Sequence, residues 1–586
     1  MAINASPWVV FGGFVLLYLA QRLVDFWRNV RLMKLNHPGF RTLFSQRTFF
    51  GNLLPPMTGV TPGRNMAFLR KHKIFQYFGS DVIVNVSAFP SEPFVNIADP
   101  AIITEVTSSR ARFPKPVEQY TVLSFFGRNI VASEGEEWKK YRKISAPAFS
   151  DRNNKLVWDE SLRIMDDLFA NVWGDQDTIV VDHCVDITLP IALFVIGVAG
   201  FGRKISWQSD LIIPPNHSMT FKDALHEVTV GVFTKLVFPK WMMGWTERLR
   251  KVQRAFDELD QYMMEMIHAR RTSEKKEERY DLFSSLLDAN DQDDDGDEEF
   301  EFDDGEGGKE RGKKLKLTER ELIGNIFFFF WLLDMSGRVW VWVWWKEYVD
   351  GEKGPGLIVL RRRRRRSLET QDYESLSLCR SDDCLTTAHT LCYTFALLAL
   401  YPDKQEKLYQ QIKSLMKEDR LPTYEEMSLF TRSMGVFYET LRMFPPVNVI
   451  PKTSAEDTVF HTINHSGERV SVPIPKGTSI VINTPGLHNN PRYWKDPQDF
   501  RPERFLEEWP RDAFAPFSVS CIGRKFFETE GIAILTMLVS KYKIEVKEEP
   551  QYANETFEER KARIFQTSPG LTLTPIWVPL VLKRRV

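Results

Sequence analysis

An apolar helical pattern opens at Leu315, breaks off after Phe330 and resumes at Thr386–Tyr401 (TTAHTLCYTFALLALY). Thr318, with Glu321 three residues on, has the form of a capping box at the start of the first half. The 55 residues at 331–385 between the halves carry neither helical nor strand period. They hold five tryptophans between Trp331 and Trp345 and six consecutive arginines, Arg361–Arg366. Such a charge run cannot be buried unpaired. Any fold must therefore seat both halves in one core and send 331–385 outward, as a foreign insert in a single helix. The arginine run has no binding fold around it, and a net charge of −1 gives no general attraction to polyanions. No nucleic-acid partner is expected.

The rest of the chain reads as one large, mainly α body with small β-sheets. With 43% hydrophobic residues in 586 it is far too apolar to be disordered, and it can bury a very large core. Five cysteines cannot staple a chain of this length. Residues 1–21 carry no charged side chain, and Trp8–Ala20 is almost wholly apolar. Arg22, Arg28, Arg31 and Lys34 follow, the order of an uncleaved anchor whose basic flank stays cytoplasmic. Residues 1–21 are thus expected to be a membrane anchor and 22–63 a basic, proline-containing hinge linker. The body spans 64–586, with Asp81–Val86 as one of its strands. Asp291–Glu306 contains 11 acidic residues in 16. With the Gly/Lys-rich stretch after it, 290–314 is read as a disordered acidic loop.

Three motifs follow in order. Glu439 and Arg442 form Glu-x-x-Arg, which puts both side chains on one helix face, where a guanidinium can grip a carboxylate through paired hydrogen bonds. Arg504, in Phe500-Arg-Pro-Glu-Arg-Phe505, supplies a second arginine for the same carboxylate. Cys521 and Gly523 then open an apolar helix, whose N-terminal dipole favours a thiolate. Cys184, Cys379, Cys384 and Cys392 lack such context and read as inert thiols.

This order resembles the cytochrome P450 family, over about 64–330 and 386–586. Trp138 and Arg142 are similar to that family's Trp-x-x-x-Arg helix, and Thr386-Thr387 sits where its central helix carries an oxygen-pocket threonine. The resemblance implies a P450-like haem domain behind a membrane anchor and a haem-thiolate monooxygenase activity. It implies haem b with Cys521 as axial iron ligand, and Trp138, Arg142 and Lys452 as propionate partners. Thr386 would be the catalytic alcohol, and Glu439, Arg442 and Arg504 a structural network. It also implies NADPH-derived electrons from a cytochrome P450 reductase, dioxygen and a small apolar organic substrate as partners, and contact with lipid at the endoplasmic reticulum membrane with the body facing the cytosol. Phe125, Phe126 and Phe327–Phe330 are candidates for the substrate side, although an aromatic run is more often plain core.

Two departures oppose this. The family's loop reads Phe-x-x-Gly-x-Arg-x-Cys-x-Gly, but Phe517 and Val519 stand four and two before Cys521. The tight turn and the propionate-pairing arginine are both missing. In the central helix Leu385 holds the acid position and Asp383 the glycine position, so the proton-relay pair is lost. Both breaks interrupt good matches, as a retained intron at 331–385 and an over-long excision before Cys521 would do. The alternative is a P450-shaped chain that binds haem poorly and does not turn over.

Overall fold

The computed structural model describes residues 7–291, 316–332 and 386–585, with short breaks at 34–36, within 47–53, at 64, 121–122, within 204–212, at 273–279, 418–419, 515–520 and 570–572. The insert from 333 onward, the acidic stretch from 292 and the cysteine-loop departures at Phe517 and Val519 lie outside the described residues, as do Leu385 and Asp383; Trp331 and Leu332 belong to the helix that precedes the insert.

The helices that frame the site are α1 (Pro7–Leu32), α2 (Lys73–Phe78), α3 (Gly135–Ser145), α4 (Asp151–Asp167), α5 (Val185–Val195), α6 (Glu319–Leu332), α7 (Thr386–Leu400), α8 (Pro402–Leu415), α9 (Thr431–Met443) and α10 (Arg524–Lys541). The two halves of the broken pattern are α6 and α7. At the start of α6 the Thr318 N–H donates to Glu321 Oε2 at 2.8 Å and the Glu321 N–H to Thr318 Oγ1 at 3.2 Å. That is the capping box read from the sequence. Helix α7 is apolar all round, which suits a helix covered on every side. It packs on α5, α8, α9 and α10, and nearly every residue is buried.

Among the described residues four sheets flank this core. The largest has strand order β1-β2-β3-β8-β5, from Arg41–Phe44, Val82–Phe89, Pro93–Ile97, Ser479–Asn483 and Val449–Thr453. Pairing alternates in type: β1 and β2 are parallel, β2 and β3 antiparallel, β3 and β8 parallel, β8 and β5 antiparallel. The hairpin β6 (Thr458–Ile463) with β7 (Arg469–Ile474) stands beside it. Thr178–Val181 (β4), Tyr542–Val546 (β9) and Leu580–Arg584 (β12) make a three-stranded antiparallel sheet, and β10 (Thr567–Pro569) pairs with β11 (Leu573–Pro575). Gln405 clasps α8 to β9: its amide donates to Leu398 O and Ile544 O at 2.9 and 2.8 Å and accepts the Ile544 N–H at 2.8 Å.

The N-terminal boundaries differ from expectation. Helix α1 does not end at residue 21 but runs through Arg22, Arg28 and Arg31. Val30 and Met33 are buried in the apolar cluster of β2 and β3, so burial carries the helix past its apolar run. Part of the expected hinge is sheet: the Val84 N–H donates to Pro38 O at 2.8 Å, and Arg41–Phe44 is strand β1. Among the described residues no helix is long and apolar enough to cross a membrane. The helix Leu282–Asp291 also trims the acidic loop. At its end the Asn290 amide donates to Leu317 O at 3.2 Å and accepts the Leu317 N–H at 2.6 Å.

Candidate functional site

Cys521 stands three residues before the start of α10. Its side chain retains accessible surface, and the charges of Arg142 of α3 and Arg524 of α10 act on it. Burial pushes the thiol up from its ordinary value. The backbone N–H groups of Gly523 and Arg524 and the charges of Arg142 and Arg524 pull it the other way without overcoming burial. The free side chain is a thiol surrounded by donors arranged for a thiolate. A bound metal ion would complete that change, since a coordinating thiol is deprotonated.

Cations gather beside this thiol. Helix α3 presents Trp138 and Arg142 one turn apart, and the Arg142 guanidinium lies 5.5 Å from the Trp138 ring centre. Arg110 stacks on the same ring at 3.6 Å. The charge of Arg142 is felt by both Cys521 and Arg110. Strand β5 brings Lys452 in, through the register Lys452 to Ile480 of β8. Lys115 Nζ donates to Ile130 O at 3.0 Å and Val131 O at 3.2 Å, with Glu134 at 3.8 Å. Burial lowers Lys452, while Glu134 raises it and Arg110 lowers it. Burial pushes Lys115 down to about 8, against the pull of Glu134. Arg110, Lys115 and Lys452 thus share one nearby carboxylate, Glu134. Such an excess of positive charge is electrostatically suited to a dianion.

Glu439 lies between its expected partners. Arg442 Nε and Nη2 donate to its two oxygens at 2.7 and 2.9 Å, and Arg504 Nε donates at 3.0 Å. The Arg501 N–H adds a fourth bond at 2.9 Å. Arg442 Nη1 continues to His488 O at 2.8 Å. Glu439 and Arg442 are fully buried, and Trp494 lies under both guanidinium groups.

Comparison with known proteins agrees with this geometry. The family model described as Cytochrome P450 matches residues 49–306 and 384–573. The chain belongs to the cytochrome P450 family. It is 46% identical to "Cytochrome P450 monooxygenase 124" of Postia placenta over 98% of this chain and 99% of that one. It is 26% identical to "Cytochrome P450 monooxygenase ORF6" of Penicillium roqueforti over 97% and 92% of the two chains. The solved structure described as "Crystal structure of cytochrome P450DA heme domain" shares the fold, with a TM-score of 0.60 at 19% identity, covering 89% of this chain and 93% of that one. The chain is a P450 monooxygenase of fungal type, and the family implies haem.

The residues of this P450 fit that group. An accessible thiol under the charges of Arg142 and Arg524, with Arg142 acting in turn on Arg110 of the cation group around Glu134, suits a metal ion carried on a dianionic ring. Thr386 is the first residue of α7 and is buried. Its neighbour Thr387 donates from Oγ1 to Glu530 Oε2 at 3.0 Å. Burial raises Glu530 to about 8, and its Oε1 has no hydrogen-bond partner among the described residues. Phe126 and Phe327 resolve toward core: Phe126 lies 5.5 Å from Phe256 and 4.3 Å from Phe327, ring centre to ring centre, while the side chains of 328–330 lie outside the described residues. Cys184 and Cys392 are buried side by side, and burial holds the Cys392 thiol well up. Cys379 and Cys384 lie outside the described residues.

Arg110, Lys115 and Glu530 were not singled out in the sequence. Arg110, Arg112 and Lys115 sit in one irregular stretch, yet Arg112 turns out to Glu105 and Glu456 while the other two turn inward. No period distinguishes them. Glu530 carried a signal: an acid flanked by Gly531 and an apolar run, on a helix buried along most of its length.

Proposed function

We infer that this P450 is a haem-thiolate monooxygenase acting on a small apolar organic substrate with electrons relayed from NADPH by a reductase. The observation that carries the reading is the accessible Cys521 thiol ahead of α10, under the charges of Arg142 and Arg524, with Arg142 acting in turn on Arg110 of the Arg110–Lys115–Lys452 group around Glu134. Cys521 would be the axial ligand of haem b, with the Gly523 and Arg524 N–H groups stabilising its sulfur. When bound, thiolate-ligated haem supplies dioxygen activation, because the sulfur pushes electron density onto the iron. Trp138 orients Arg110 by stacking, and Arg142 and Lys452 neutralise propionates. Thr386 offers a hydroxyl at the head of α7 for positioning a proton. Glu439, Arg442 and Arg504 keep their structural role.

Attachment to the endoplasmic reticulum membrane, body toward the cytosol, belongs to the same proposal. Its support is the exposed run Phe14–Leu19 followed by Arg22, Arg28 and Arg31. An apolar, exposed helix end with a basic flank suits lipid contact without a full span.

The test is a carbon-monoxide difference spectrum of the expressed chain and of Cys521→Ser. A thiolate-type Soret band in the first, lost in the second, is the expected result. A free-haem spectrum, or no haem signal, from the wild-type chain would favour the catalytically impaired alternative.

A further inference from the structure

On the sheet side of the molecule, remote in sequence from Cys521, three metal-ligating side chains converge. His72, Asp81 and His465 bring their nearest donor atoms within 4.8 Å of one another. His72 immediately precedes α2, Asp81 immediately precedes β2, and His465 sits in the turn between β6 and β7. His72 and Asp81 are buried, and the exposed His465 leaves an entry path from solvent.

The hydrogen bonds around the cluster are incomplete in a specific way. His72 Nδ1 lies 3.0 Å from Gly486 O, which can only accept, so this nitrogen carries a hydrogen. His72 Nε2 lies 3.5 Å from Asp81 Oδ1, also an acceptor. A neutral imidazole can serve one of these oxygens but not both. His465 Nε2 approaches the same Asp81 oxygen at 3.0 Å. The other Asp81 oxygen is already supplied, by Asn490 Nδ2 at 3.1 Å and Arg492 Nη1 at 3.0 Å. Two imidazole nitrogens and one carboxylate oxygen therefore face one another, while His72 and Asp81 are fixed from behind. The Nδ1 bond to Gly486 O is the outer-shell contact that orients a metal-binding histidine.

The spacing suits a small cation. Ligand atoms about 2.0–2.1 Å from a tetrahedral zinc lie about 3.3 Å apart, between the 3.0 and 3.5 Å seen here. We propose that His72, Asp81 and His465 bind one divalent transition-metal ion of the Zn2+ class, which pins the β6–β7 hairpin to the α2–β2 corner. Three protein ligands leave a fourth position for water, facing the open His465 side. The Arg492 charge on the far carboxylate oxygen makes the site weaker than an all-thiolate centre.

The test uses the full chain as purified, without a histidine tag. The protein is dialysed against chelator, titrated with Zn2+, desalted and measured for bound metal by plasma mass spectrometry. The expected result is one equivalent of zinc, with at least tenfold weaker binding in His465→Ala, whose backbone N–H bond to Gly79 O is unaffected. Zinc should raise the melting temperature of the wild type and not of the variant. On the wild type alone, zinc-edge X-ray absorption should show two imidazole ligands. Failure to retain zinc, equal binding by the variant, or a coordination sphere without imidazole would overturn the proposal. The His465 hydrogen bond and the Arg492 charge would then be what satisfies Asp81.

Discussion

Replacing Glu439 by Gln changes one charge and almost no volume, so the loss reports the network itself. The carboxylate accepts four hydrogen bonds, three from Arg442 and Arg504 and one from the Arg501 N–H. A carboxamide turns an NH2 toward donors that need an acceptor and leaves the buried Arg442 and the half-buried Arg504 guanidinium groups without this counter-charge. Removing one partner of a buried ion pair typically costs about 3–5 kcal/mol, a large share of the ~5–15 kcal/mol that holds most domains folded. The expected fall in the folding equilibrium is therefore roughly 10²- to 10³·⁵-fold. Urea unfolding of Glu439→Gln, followed by far-ultraviolet circular dichroism, should show a clearly lowered midpoint. Replacing Glu439 and Arg442 together by leucines should be less damaging than the sum of the single changes, because the pair's burial penalty also disappears. A midpoint for Glu439→Gln indistinguishable from wild type would refute this account of the network.

Three further outcomes follow from the same geometry. Lys115 titrates near 8 in the free protein, and a bound dianion should restore its charge. Haem affinity should then fall as pH rises above about 8, by up to tenfold per unit for one proton, while Lys115→Met shows weaker binding without that step. Haem transfer to a scavenger apoprotein reads both, and a flat wild-type profile would sink the idea. Glu530 is neutral in the fold below about 8 but ionised in the unfolded chain above its ordinary value. Its contribution is therefore fully present at low pH and is lost between about 4.5 and 8, at about 1.4 kcal/mol per unit. Glu530→Gln should remove that slope and be the more stable form at pH 8, as judged by melting temperature across pH. Finally, a Cβ at Gly531 would lie 2.3 Å from Phe437 Cζ. Gly531→Ala should destabilise by about 1–3 kcal/mol through overpacking between α9 and α10, and Phe437→Leu should recover part of it in the double variant.

What could be read from the sequence was whatever a period or a fixed spacing encodes. Glu439 and Arg442 had to share a helix face, and Cys521 had to precede an apolar helix, because three- and four-residue steps decide both. The halves of the broken helix were legible for the same reason. The limits of α1 and of the hinge were not, because long-range burial of Val30 and Met33, and pairing of residues 41–44 with β2, override a local change of composition. Arg110 and Lys115 escaped notice because an irregular stretch gives no rule for which of its cations turns inward. Convergence of His72, Asp81 and His465 spans almost 400 residues, and only the sheet topology brings it about.

The Asn290–Leu317 clasp fixes where the chain leaves and re-enters the frame. One side chain donates to and accepts from the same distant residue, so the end of the helix Leu282–Asp291 and the approach to α6 are soldered at a single point. Doubling the length of a flexible connection between two fixed points costs only about 0.6 kcal/mol. Insertions between these two residues should therefore be absorbed without moving either helix, and an experimenter can graft a reporter there while the site around Cys521 stays in register.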